Sequence, residues 1–172
     1  MDKKILATLR SINPIRFRQL REKAKMNDLE GASKEETRII KILLDHETEY
    51  FKEFESSDFV SNREVRPGKR QNPLIHIAIH SLVEAQLDKK DPPEAYRYYL
   101  AMREKNHSHH DAIHLVSAIF AYLMLPVVQK KAPFDMARYR FLLNKYIDKE
   151  PNAVYELFGI DKPDEPSPVT YH

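Results

Sequence analysis

Three glycines in 172 residues leave this chain few places where its backbone can turn without a side-chain penalty, and no long run of tight hairpins can be built from them. The same scarcity removes the glycine-rich phosphate loops, since neither GxGxxG nor GxxxxGK[ST] occurs. The chain is instead rich in Leu, Ala, Glu, Lys and Arg, which lose little side-chain freedom in a helix. Cysteine is absent. That excludes a disulfide scaffold, a thiolate metal site, an iron–sulfur cluster and a cysteine nucleophile. Apolar residues at 42% and charged ones at 31% describe a globular chain long enough to bury a core without help from a metal.

Punctuation along the sequence divides it into helices. Asn13-Pro14 caps and opens a helix over about 14–28. Ser33 with Glu36 forms a capping box ahead of an apolar stripe, Ile39, Ile40, Leu43, Leu44, Tyr50, Phe51 and Phe54, which predicts a helix continuing to about Glu55. Asn72-Pro73 opens a segment whose interior runs from Leu74 to Leu87, and Pro93 opens another over about 93–104. Ser108 caps a long apolar helix that Pro126 bends or ends after Leu125, and a last helix covers about 134–148. The expected architecture is all-α, a single-domain helical bundle of about five helices. It occupies residues 1–150, with a basic N-terminal helix, and a proline-containing, partly disordered tail follows over 151–172.

Within this frame the histidines are not scattered. His76, His80 and Glu84 stand at i, i+4 and i+8 in an apolar segment, where each four-residue step drifts only 40° around a helix. His110 and His114 repeat the spacing on the later apolar helix. Two such helices side by side could bring four imidazoles and a carboxylate to one centre, a donor set suited to zinc, iron, manganese or nickel. Buried histidines need partners, and a bound cation or a hydrogen-bonded His–Glu network would each supply them. His46 could add a fifth nitrogen, or Glu49 three residues later a second carboxylate, if their helix packs against the other two; equally, His46 and Tyr50 could simply line the apolar stripe. His107 and His109 fall off the His110/His114 face and belong at the helix mouth.

The run Asn72-Pro73-Leu74-Ile75-His76-Ile77-Ala78-Ile79-His80, followed by Glu84-Ala85-Gln86 and Pro92-Pro93, is similar to the signature of the DUF1841 family of small bacterial proteins. His110-Asp111-Ala112-Ile113-His114 resembles a later His-containing block of that family, and Pro133-Phe134-Asp135 with Tyr139 its C-terminal region. The resemblance spans roughly residues 35–147, with the basic first helix and the tail outside it. It departs from the family where Ala85 separates Glu84 from Gln86, and where Ile113 stands for a frequent Glu. In place of an earlier His-Pro-Glu-Tyr-His block the chain reads His46-Glu47-Thr48-Glu49-Tyr50-Phe51, so either His46 is retained by an insertion or Glu47 replaces the first histidine. The resemblance carries over His76, His80, His110 and His114 as a site and names no reaction.

The chemistry left open by these residues is a divalent transition metal, zinc or iron first and manganese or nickel next, held by His76, His80, His110, His114, Glu84 and His46. Few carboxylates favour one ion over a carboxylate-rich di-iron centre. With an open coordination position the simplest activity is metal-dependent hydrolysis of a small-molecule substrate, with Glu84 or Asp111 as the catalytic carboxylate. His110-Asp111-x-x-His114 has the spacing of the zinc-peptidase His-Glu-x-x-His motif, but aspartate is shorter and no metzincin continuation follows. Iron would point to oxygen or redox chemistry in a hemerythrin-like bundle. The alternative from another class is a non-catalytic module for a protein or nucleic acid, with a buried His/Glu network. Its signals are eight cations against four anions in residues 1–30, the Tyr96, Arg97, Tyr98, Tyr99, Arg103 cluster and the basic run Arg63, Arg66, Lys69, Arg70. A homodimer is compatible with either reading. With no uninterrupted apolar run near the ~20 residues that cross a bilayer and no leader-like start, a cytoplasmic chain without a membrane partner is expected.

Overall fold

The computed structural model describes residues 14–51, 54, 72–130 and 132–158. The described residues form seven helices and no strand. These are α1 (Pro14–Lys25), α2 (Lys34–Asp45), α3 (Pro73–Lys89), α4 (Pro93–Glu104), α5 (His109–Lys130), α6 (Met136–Tyr146) and α7 (Pro151–Phe158). The bundle expected from composition is therefore present, with two more helices than the approximate number read from the punctuation.

The caps work as the sequence implies. Ser33 Oγ accepts from the Glu36 amide at 3.2 Å while Glu36 Oε2 accepts from the Ser33 amide at 2.9 Å, closing the capping box of α2. Asn72 Oδ1 accepts from the Leu74 amide at 2.9 Å, and Pro73 takes the first helical position of α3, where its missing N–H costs nothing. Lys90 ends α3 in the left-handed region at φ 53.

Three boundaries differ from those expected. The apolar stripe predicts one helix to about Glu55, yet α2 stops at Asp45, and His46 leaves helical geometry at φ −109, ψ 5. The following turn repeats the i, i+4 spacing through Tyr50 N–His46 O and Phe54 N–Tyr50 O bonds of 3.1 and 2.8 Å, so its apolar pattern is indistinguishable from a continuing helix. Pro126 does not end α5, which reaches Lys130; the proline lies on the exposed side while Leu123, Met124 and Val127 hold the helix in the core. Pro151 opens a helix instead of a tail, because proline also suits a first helical position and α7 buries Val154 and Tyr155. The rest of the expected tail, the basic run Arg63–Arg70 and the first part of the basic N-terminus lie outside the described residues.

Two apolar clusters make up the interior. One joins α1, α2, Tyr50, Phe54 and the start of α3 through Leu74, Ile77 and Ala78. The other joins Ile79, Val83 and Leu87 of α3 to α4, α5, α6 and α7. Helix α3 is thus apolar around most of its circumference because it is a wall shared by both clusters, packing on α2 on one side and α5 on the other. Helix α5, through residues His109–Val128, is also long and apolar enough by length and composition to cross a membrane, but 61% of that window is buried inside the bundle. Arg21, only 5% exposed, ties the two ends of the first cluster: its guanidinium donates to Glu47 at 2.6 and 3.2 Å and to the Phe54 carbonyl at 3.3 Å. This clamp fixes the turn that carries His46.

Candidate metal centre

The site lies where the two clusters meet. Helix α3 presents His76 and His80 on adjacent turns, α5 presents His110 and His114 likewise, and the turn after α2 swings His46 between them. Ring centroids of the contacting pairs are separated by 4.3 to 5.9 Å, the closest being His110–His114. The two pairs and His46, on three segments far apart in sequence, therefore converge. Of the two residues at issue in the earlier block, His46 is fully buried against the other rings, whereas Glu47 turns to Arg21.

The orientation of His46 follows from one hydrogen bond. Its Nδ1–H donates to the Ile42 carbonyl at 2.7 Å, and because a carbonyl only accepts, Nδ1 carries the proton. Nε2 of the neutral ring then holds a lone pair directed at the cluster, the usual arrangement in which a second hydrogen bond sets a ligand's tautomer. That atom is 2.9 Å from His76 Nε2 and 3.3 Å from His114 Nε2. Ligand atoms around an ion with metal–nitrogen bonds of ~2.0–2.1 Å are separated by ~3.3 Å in a tetrahedron and ~2.9 Å between neighbours in an octahedron, so these spacings match coordination edges.

Potential ligand atoms of His46, His76, His80 and His114 all lie within 4.8 Å of one another, as do those of His46, Glu49, His110 and His114. These groups are positioned to hold a metal ion. The decisive atom is His80 Nε2, which is buried and has no hydrogen-bond partner. A purely hydrogen-bonded network would leave it unsatisfied, at a cost of roughly 1–3 kcal/mol, whereas a cation in the centre would take its lone pair.

Burial and mutual proximity act in the same direction on every ring. Desolvation first, and then the neighbouring histidines, push His76 and His80 well below the ordinary imidazole range, and His114 down to about 3. His46 and His110 are lowered mainly by burial, partly offset by Asp45 and, for His46, by the Ile42 bond. The rings are therefore neutral at neutral pH, the state in which imidazole ligates. In the metal-free protein the unfolded chain takes up these protons near pH 6.5 while the fold refuses them, so it binds more protons throughout the window below that value. Stability is then full above pH 6.5 and falls as pH drops below it, the window reaching down to about 3 for His114. Among the described residues Glu84 opposes this between 4.5 and about 7, because burial raises its carboxyl to about 7. Urea melts from pH 7.5 to 5 check this; a midpoint that does not fall would contradict neutral burial of the five rings.

The carboxylates expected at the site have other partners. Glu84 Oε2 is 3.9 Å from Arg38 Nε on α2, whose guanidinium also holds Asp88 at 2.8 Å, and Glu84 is in neither convergent group. Asp111 caps α5, accepting from Ser108 Oγ at 2.6 Å and from the Ser108 amide at 3.3 Å. Glu49 is the carboxylate that does converge, with Oε2 4.0 Å from His46 Nε2. Among residues noted for an interaction module, Tyr98 is fully buried, Arg97 reaches Asn144 and Glu94, Arg103 holds the His107 carbonyl, and Tyr99 pairs with His109. Tyr50, buried beside His76 with ring centroids 5.2 Å apart, completes the wall of the site.

Compared with known proteins, residues 8–145 match a family model described as Domain of unknown function (DUF1841). The match begins well before residue 35 and takes in α1, which the motifs alone leave outside. No curated protein and no solved structure matches.

Proposed function

The chain belongs to the DUF1841 family, whose description assigns no function, and we propose from its site that it is a metal-binding helical protein holding one divalent transition-metal ion among His46, His76, His80 and His114. The observation that carries this reading is the orphaned Nε2 of His80, whose ring packs against those of His46, His76 and His114. One ion is favoured because the donor set is almost entirely neutral, and among the described residues Glu49 is the one carboxylate in the two donor groups. A dication there keeps most of its positive charge, so it would supply Lewis acidity and lower the pKa of a bound water. Glu49 and the half-buried His110 lie on the exposed side, where a substrate could reach the ion. A hydrolase of small molecules is the activity this arrangement favours first. A set of neutral imidazole donors also suits iron, manganese or nickel and keeps redox chemistry as the second reading.

The test is elemental analysis of protein made without a histidine tag and purified without chelator. Near one zinc per chain supports the hydrolytic reading, and near one iron or manganese the redox one. His76→Ala and His114→Ala are expected to reduce metal content to under about a tenth, with His172→Ala unchanged. Equal metal content in all three variants would remove the site.

A further inference from the structure

The two convergent groups share His46 and His114 and differ in their other members. The inner group adds His76 and His80, and the outer adds Glu49 and His110. The members that differ also differ in surroundings. His80 is 2% exposed, whereas the Glu49 side chain is 37% exposed and His110 is half-buried. Asp45, Asp111 and Glu49 act electrostatically on His110 in addition to His46, while the groups acting on His76 and His80 are histidines alone. The passage from Glu49 to His80 therefore runs from a hydrated, acidic face to a neutral, dry interior.

Both groups cannot be completely filled at once. His46 Nδ1 is committed to the Ile42 carbonyl, so His46 has one nitrogen to offer and cannot bridge two ions. Two dications sharing these ligands would face each other with one carboxylate between them and too little negative charge to offset their repulsion. The groups are thus alternative positions for a single ion, linked by two common ligands.

We propose that the outer group is the loading position of the centre: a divalent cation is first captured by Glu49 and His110 together with His46 and His114, then moves inward to His76 and His80 without leaving the two shared histidines. This inference rests on the metal-centre reading. In the transfer two coordination bonds break, to a Glu49 oxygen and a His110 nitrogen, and two form, to nitrogens of His76 and His80. Each inner ring binds as a neutral imidazole with its one proton on the nitrogen turned from the ion; for His76 the proton that Nε2 donates to His46 in the empty site moves to Nδ1, so the transfer releases no net proton and changes no oxidation state. An acidic mouth raises the local concentration of cations and speeds their capture by 10- to 1,000-fold in comparable charged clefts, as an order of magnitude. A neutral inner cage, held by ligands buried in the core, then sets how long the ion stays.

Stopped-flow mixing of cobalt(II) chloride with the chelator-stripped full-length protein, followed by the cobalt ligand-field absorption, tests the order of events. Glu49→Gln, at an exposed position, is expected to slow loading at least about tenfold and to weaken its dependence on ionic strength. Because entry and exit share one route, extraction by excess chelator slows by the same factor. The final spectrum, the stoichiometry and the equilibrium affinity stay within about threefold of the unaltered protein. His110→Ala gives the same pattern, whereas His80→Ala changes the final spectrum and the affinity. Unchanged loading in Glu49→Gln overturns the loading role and leaves the metal centre standing. An affinity that falls as far as the loading rate overturns it too, by making Glu49 a ligand of the resting ion. Failure of the unaltered protein to bind cobalt overturns the metal-centre reading and the loading step together.

Discussion

Replacing His80 with alanine is expected to lower metal affinity by at least about 100-fold while barely changing the stability of the metal-free protein. The first half follows from the loss of a ligand in a dry cage, since even partners that merely orient a ligand are worth 10- to 100-fold in affinity. The second half is less usual and more diagnostic. Truncating a buried side chain normally destabilises by a few kcal/mol through lost packing. Here the same substitution also removes a buried nitrogen without a partner, which relieves roughly 1–3 kcal/mol of desolvation cost. The two terms nearly cancel in the metal-free state, and the whole effect shows up in the loaded state. Leu143→Ala on α6, fully buried and outside both donor groups, serves as the comparison because it should cost the same with and without metal. Competition against a chromogenic chelator gives the affinities, and urea melts of loaded and stripped protein give the stabilities. A large loss in stripped His80→Ala would mean that His80 is a satisfied core residue, and the metal centre would lose its principal support.

Removing the ion from the unaltered protein should produce the second large effect. A ligand that binds only the folded state at a free concentration about a thousand times its dissociation constant adds about 4 kcal/mol to stability. For a chain of this size each kcal/mol shifts the melting temperature by about 2–4 °C, so stripping the ion should lower it by about 8–16 °C. Calorimetric melts before and after a chelator, and again after zinc is restored, measure the shift. It should vanish in His46→Ala, because that ring belongs to both donor groups and no alternative position can replace it. A shift of full size in His46→Ala would show that the stabilising ion binds elsewhere.

What could be read from the sequence depended on whether the deciding interaction was local. His76 with His80 and His110 with His114 are legible because i, i+4 spacing in an apolar helix is a property of a single segment. Ser33 with Glu36 and Asn72 with Pro73 are legible for the same reason, and they place the starts of α2 and α3 correctly. Glu84 shows where this stops. Its spacing sets it near the histidine face, but two four-residue steps from His76 add up to 80° of drift, and at that angle Arg38 of another helix takes the carboxylate. Nothing within residues 72–89 announces that arginine. His46 is the opposite case. In sequence it sits inside an unbroken apolar stripe, and only the end of α2 at Asp45 turns it into the gap between α3 and α5. Pro126 and Pro151 misled because proline is read as a stop, whereas burial of Val127 and Val154 beside them makes helix the better state.

The shared wall formed by α3 has a consequence for the way the molecule opens. Four of the five imidazoles stand on α3 and α5, and only His46 arrives from the layer formed by α1, α2 and the turn that Arg21 clamps. Hydrogen exchange follows such layers as units, each with its own opening free energy. An ion bound through His46 bolts the outer layer to the rest of the bundle, so that layer can detach only by giving up a coordination bond. Metal occupancy therefore sets the exchange protection of α1 and α2, which contribute no other donor, and the slowest amides of the stripped protein would be confined to the α3–α7 body.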